Sequence, residues 1–175
     1  MDELDEAVRR VVRGDTDAFR RIVDATSDGL VRLGARIIGS MSEAEDVVQD
    51  AYVKAYQALT SGRFEQRSSV TTWLRHIVTN TAIDALRSRS RRPVPSETVA
   101  ESGWDGAAGA EAHMALAELN DLLGMLPPDQ RAAVVLQSVE GHAVSEIAAI
   151  LGCSEGAVEQ RLVRARATLR ERSAS

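Results

Sequence analysis

Seven arginines, Arg63, Arg67, Arg75, Arg87, Arg89, Arg91 and Arg92, crowd into residues 63–92 beside only two acids, Glu65 and Asp84. That stretch carries +5 in a chain whose formal net charge is -5. A basic island on an acidic molecule fits a local, directional contact with a polyanion. The plainer alternative is a solvated basic helix end. At its start one aromatic, Phe64, stands near Ser68 and Ser69. An aromatic among hydroxyls is suited to stacking on an unpaired base and bonding its edge. The expectation is therefore a segment that helps open DNA and holds a displaced base. Bond-making chemistry has little support. Asp46 and Asp50 lie four apart on one helix, but no His, Cys or Gly-rich phosphate loop joins them. Cys153 is the single cysteine, which excludes an internal disulfide and a cysteine-based zinc cluster. His76, His113 and His142 have no metal spacing. No catalytic residue, cofactor or metal is expected.

The elements that must position these residues are helical. Apolar residues make up 44% of the chain and aromatics 3%, so any core is built from Ala, Val, Leu and Ile. Leu4, Ala7, Val8, Val11 and Val12 give one amphipathic stripe. After Gly14, Asp15 or Thr16 can cap a second helix running through Phe19, Ile22 and Val23. Leu30, Leu33, Ile37 and Ile38 extend its face to Gly39. Ser42-Glu43-Ala44-Glu45 reads as a capping box for a third helix reaching about Leu59. Its buried stripe is Val47, Val48, Ala51, Ala55 and Leu59. Its other face presents Asp46, Gln49, Asp50, Lys54 and Gln57 beside two exposable tyrosines, Tyr52 and Tyr56. Such a stripe could dock a basic helical partner. Phe64–Thr72 reads as loop, and a fourth helix starts at Trp73. That helix shows Arg75, His76, Thr79, Asn80, Ile83 and Arg87 opposite its apolar side.

Residues 93–112 hold prolines, glycines and small residues without period, so they read as a linker between two domains, 1–92 and 113–175. Residues 93–122 carry six acids and no base. Beyond the linker, Met114 to Met125 reads as a helix, Pro127-Pro128 breaks it, and the next helix runs to Gly141. Then Val144–Leu162, VSEIAAILGCSEGAVEQRL, places Ile147, Ala148 and Leu151 on one helix. Gly152 ends that helix, Ser154 caps another, and Val158 and Leu162 face inward. That is a helix-turn-helix, whose second helix exposes Ser154, Glu155, Glu159, Gln160, Arg161, Arg164 and Arg166. No apolar run of membrane-spanning length occurs, and the acidic start MDELDEAVRR is unlike a signal peptide, so a reduced, cytosolic protein is expected.

In order and spacing, GDTDAFRRIV, SEAEDVVQDAYVKAY, Phe64 with Trp73-Leu74, RHIVTNTAIDALR, LPPDQRAAVVLQSVEG and SEIAAILGCSEGAVEQRLVRARATLRE resemble the extracytoplasmic-function branch of bacterial sigma factors. The resemblance runs from Gly14 to Glu171. It implies an all-α chain of two small helical domains joined by a flexible linker, the C-terminal one a helix-turn-helix. It implies a transcription factor that binds core RNA polymerase, through the β′ clamp helices and the β flap, and promoter DNA. An anti-sigma factor commonly restrains such proteins. The polymerase-binding face becomes Asp46, Gln49, Asp50 and Lys54. Minus-ten DNA contacts fall on Phe64, Arg67, Ser68, Ser69, Arg75, Asn80, Asp84 and Arg87. Minus-thirty-five contacts fall on Ser154, Glu155, Glu159, Gln160, Arg161 and Arg164.

The chain departs from the family pattern in three places. Glu65-Gln66 replaces the usual Arg-Gly after Phe64. Ala143 stands where a serine usually caps the first helix of the helix-turn-helix. Glu159 stands where a base is common; its carboxylate can accept from a cytosine amino group, so an unusual minus-thirty-five sequence is expected. The rival reading is a helix-turn-helix repressor or activator that binds duplex without polymerase docking.

Overall fold

The computed structural model describes residues 3–64, 68–91 and 110–173, and every regular element among them is a helix. Four helices form the N-terminal half: α1 (Glu3–Val12), α2 (Asp17–Ile38), α3 (Met41–Thr60) and α4 (Val70–Arg91). The C-terminal half holds α5 (Ala110–Gly124), α6 (Pro128–Val134), a π-helical turn (Val135–Val139), α7 (Val144–Leu151) and α8 (Glu155–Ser173). The expected linker, its Trp104 and Arg92 lie outside the described residues apart from its last turn, which is the start of α5.

Local chemistry explains most helix ends. Glu3, Asp5 and Glu6 open α1 and Arg9 and Arg10 close it, as its macrodipole favours. The Asp15 carboxylate accepts from the Ala18 N–H at 3.2 Å and starts α2. Its second oxygen pairs with Arg10, and that bond holds the Asp15 carboxyl below its usual range. Gly39 ends α2 at φ 87°, where a β-carbon would be strained.

Three boundaries differ from the sequence expectation. The cap of α3 is Ser40, whose Oγ accepts from the Glu43 N–H, two residues ahead of the expected Ser42 box. The fourth helix starts at Val70, because Ser69 Oγ accepts from the Thr72 N–H at 3.2 Å. The helix after Pro128 widens to a π-turn at Val135, which no side-chain periodicity announces.

The N-terminal core sits where α2, α3 and α4 cross, with Ile22, Leu33, Ile37, Leu59, Leu74 and Val78 fully buried. Phe19 packs edge-on against Tyr52 and Tyr56, at centroid distances of 6.1 and 5.2 Å. Tyr52, expected at the surface, is 8% exposed. Its hydroxyl bonds Thr26 Oγ1 at 2.7 Å, which satisfies both groups inside the core. Val12, expected in the α1 stripe, is exposed. Thr79 and Ile83, expected on the open face of α4, are buried.

The two halves touch. The faces of α2 and α4 meet α6, and α4 also meets α7, so buried residues of both halves join one apolar cluster.

Candidate nucleic-acid interface

The helix-turn-helix is built as its residues require. Gly152 takes φ 62° at the end of α7, and its N–H bonds the Ala148 carbonyl. The Cys153 N–H reaches the same carbonyl at 3.0 Å. Ser154 Oγ then accepts from the Ala157 N–H at 3.2 Å and caps α8. Ile147, Leu151, Val158 and Leu162 close the corner from inside. Ala143 cannot accept a bond, so only half of a reciprocal cap forms at α7: Glu146 Oε2 accepts from the Ala143 N–H at 2.9 Å. That bond, aided by His142, holds the Glu146 carboxyl below its usual range.

Among the residues expected to read the minus-thirty-five element, Glu155, Glu159, Gln160 and Arg164 are exposed along α8. Ser154 is exposed too, with its hydroxyl engaged in the cap. Arg161 folds back, donating to Cys153 Sγ at 3.2 Å. With Gln160 and Arg164 it lines a shallow cavity that also borders Pro127 and Asp129. Arg166 donates to Gln137 Oε1 at 2.7 Å, tying α8 to the π-turn.

On α3, Asp46, Gln49, Asp50 and Lys54 are all exposed, at the spacing of one helical face. Lys54 Nζ bonds Thr81 Oγ1 at 3.0 Å and so fixes this face against α4. Val53, 56% exposed, lies in the middle of the stripe and was not among the expected residues. An apolar side chain left in water beside such a polar row was the signal for it, and it needs the burial to be seen.

The minus-ten set is split. Phe64 is half-buried against Trp73, with ring centroids 4.4 Å apart at 51°. Ser68 and Ser69 are exposed, while Arg67 lies outside the described residues. Arg75, half-buried, lines a cleft with Thr72, His142 and Glu146. Asn80 Nδ2 lies 3.2 Å from His76 Nε2, and His76 Nδ1 lies 2.5 Å from the Ile150 carbonyl. The carbonyl can only accept, so Nδ1 carries the proton and Nε2 accepts from Asn80. Asp84 is exposed beside Arg87. Arg87 holds both oxygens of Asp129, at 2.8 and 3.0 Å, and Arg89 pairs with Glu43 at 3.2 Å. Sequence reasoning did not foresee Arg131. It is 5% exposed, its Nε has no partner among the described residues, and burial, with Arg89 nearby, pushes its pKa down to about 10.

An exposed polar stripe on α3, a basic α4 and a capped helix-turn-helix thus stand on one helical chain. The comparisons place it. Residues 22–92 match the family Sigma-70 region 2, and residues 116–169 match Sigma-70, region 4. The chain is 35% identical to RNA polymerase sigma-H factor of Pseudomonas aeruginosa, covering 92% of this chain and 89% of the relative. It is 38% identical to ECF RNA polymerase sigma-E factor of Escherichia coli (strain K12), covering 91% and 88%. Among solved structures it resembles CnrH in complex with the cytosolic domain of CnrY, at TM-score 0.68 and 28% identity over 97% of this chain and 96% of that one. It also resembles RpoE in complex with the anti-sigma factor NepR from Bartonella quintana, at TM-score 0.60 and 26% identity over 87% and 94%. The chain belongs to the extracytoplasmic-function branch of the sigma-70 family of RNA polymerase sigma factors. No helix among the described residues is long and apolar enough to cross a membrane.

Proposed function

We propose that the chain does its family's work through three surfaces divided between two domains, 1–92 and 113–175. The exposed face of α3, Asp46, Gln49, Asp50 and Lys54 around Val53, docks on core polymerase. The Phe64–Ser69 loop and the α4 residues Arg75, Asn80, Asp84 and Arg87 engage the minus-ten element. The exposed row of α8, from Ser154 through Arg164, engages the minus-thirty-five element. The chain contributes binding and strand separation in the cytoplasm, and bond-making stays with the polymerase. An anti-sigma factor restrains it; the neighbour RpoE from Bartonella quintana is solved in complex with one, NepR.

The observation that carries this reading is the pairing of a capped helix-turn-helix with a solvent-facing carboxylate row on α3, one in each family-matched segment. A repressor acting alone needs only the first. The test is run-off transcription with purified core polymerase on a genomic promoter library. Asp50→Arg should abolish co-purification with core while leaving the helical signal and melting temperature unchanged. Normal co-purification of that variant would remove α3 from the polymerase interface.

A further inference from the structure

Val163, on α8, is 64% exposed, the highest value for any large apolar side chain among the described residues. α8 packs on α6 and α7, and Val158, Leu162 and Ala165 form its buried stripe. The helical period turns Val163 away from that stripe. The line of residues across the helix from it is Gly156, Gln160, Val163 and Ala167, all exposed. Both ends of this line are small. A β-carbon at Gly156 would meet nothing within 4 Å, and Ala167 carries a single methyl. The helix can therefore approach a surface closely, and the side chains of the line with reach are Gln160 and Val163. They stand three residues apart, ~4.5 Å along the helix. One base step is ~3.4 Å, so they would meet the same base pair or neighbouring pairs.

The fold gives no reason for a valine at this position. It closes no core there, and a β-branched residue is a poorer helix former than the arginine that follows it. Its χ1 is nearly fixed in a helix, so its two methyls stand in one direction and lose little freedom on contact. Among the four bases, thymine alone offers an apolar group in the major groove, its C5 methyl. The other features there are hydrogen-bonding edges, and the Gln160 amide matches that of adenine. We propose that Val163 is a specificity-determining residue: its methyls pack on a thymine C5 methyl in the minus-thirty-five element, at the pair read by Gln160 or the next one. This rests on the minus-thirty-five reading of α8 made above. The contact removes apolar surface from water on both sides. It selects thymine over cytosine, which lacks the methyl and presents an amino group.

The test uses holoenzyme, the chain assembled with core polymerase. Promoter duplexes randomised over the upstream element are selected for binding. The recovered element is rebuilt with each thymine in turn replaced by uracil, which keeps the pairing and loses only the methyl. Wild type should bind one uracil duplex about fourfold more weakly, the effect of one methyl-sized group removed from water. Val163→Ala should bind the thymine and uracil duplexes equally, about as weakly as wild type binds the uracil one. Val163→Ser should do the same, and both variants should keep the wild-type circular dichroism, since the position is exposed. Gln160→Ala should relax base preference at that thymine's pair or the next; relaxation elsewhere overturns the shared placement. An enriched element without thymine, or a wild type indifferent to every uracil, overturns the methyl contact and leaves the minus-thirty-five reading intact. A uracil penalty that persists in both variants assigns the methyl to another side chain and overturns the role of Val163. Variants that weaken core binding with no uracil effect make Val163 a protein contact, which overturns it as well. Failure to enrich any upstream element overturns the reading of α8 itself, and the inference with it.

Discussion

Phe64 and Trp73 share one contact, so the ring proposed to hold a flipped base also packs the start of α4. The two roles separate by substitution. Phe64→Leu keeps most of the apolar contact with Trp73 and removes the aromatic face. Stacking one base on an aromatic contributes ~1–3 kcal/mol, so open complexes should fall by about five- to over a hundredfold. Closed binding and the melting temperature should stay near wild type. Permanganate footprints equal to wild type would exclude the stacking role. Thr79 shows the opposite case, a hydroxyl with no job. It is fully buried, and its Oγ1 has no partner among the described residues. A buried donor left unsatisfied costs ~1–3 kcal/mol, while an apolar group of the same shape does not. Thr79→Val should therefore raise the unfolding midpoint in urea by an amount equivalent to about 1 kcal/mol. A lower midpoint would mean a water or conformer satisfies the hydroxyl. From the sequence, Thr79 looked like part of the open face of α4, because a threonine's burial depends on what crosses over it.

At the level of elements, α7 is the weakest-started helix of the helix-turn-helix. Its cap position is Ala143, and the Glu146 carboxylate alone meets the first free N–H. Ala143→Ser supplies the missing acceptor and should stabilise the chain by ~1 kcal/mol, measured by denaturant unfolding. Glu146→Ala should destabilise it. The pH dependence has a defined sign. The folded Glu146 carboxyl is held below its ordinary value, first by the Ala143 N–H and then by His142. Its stabilising effect is thus complete above the ordinary glutamate range and is lost as pH falls through the lowered value. Wild type and Glu146→Ala should differ at neutral pH and converge only once pH has fallen below the lowered value of the folded carboxyl. A gap that persists into strong acid would assign the effect to packing. The same helix shows what periodicity resolves. Its apolar positions and Gly152 marked the corner from sequence alone, as did the stripes of α2 and α3. Boundaries were less legible where two candidates competed. Ser42 and Ser40 both precede an acidic turn, and the backbone chose Ser40, which puts Glu43 at the third helical position. The π-turn at Val135–Val139 left no trace, since one extra backbone atom ring shifts hydrogen bonds and not residue types.

For the whole molecule, the contacts that join the halves link residues far apart in sequence, Arg36 with Glu140 and His76 with Ile150. No local pattern marks such a pair, because each residue alone reads as an ordinary surface arginine or histidine. Separating about ten base pairs opposes stacking of ~1.4 kcal/mol per step, ~14 kcal/mol in all. One base held by Phe64 returns at most ~3 kcal/mol. Phosphate contacts of the kind proposed for Arg75 and Arg87 would strengthen binding to duplex as much as to separated strands, adding affinity and little melting. In this structure Arg87 is also bonded to Asp129. The remaining ~10 kcal/mol must come from further surfaces that accept both separated strands. The free chain should therefore leave promoter thymines unreactive to permanganate at any protein concentration, even where DNA is bound. Adding core polymerase should expose them over the minus-ten region and downstream. Reactive thymines with the chain alone would mean that its own helices hold both strands, and the division of labour between chain and polymerase would have to be redrawn.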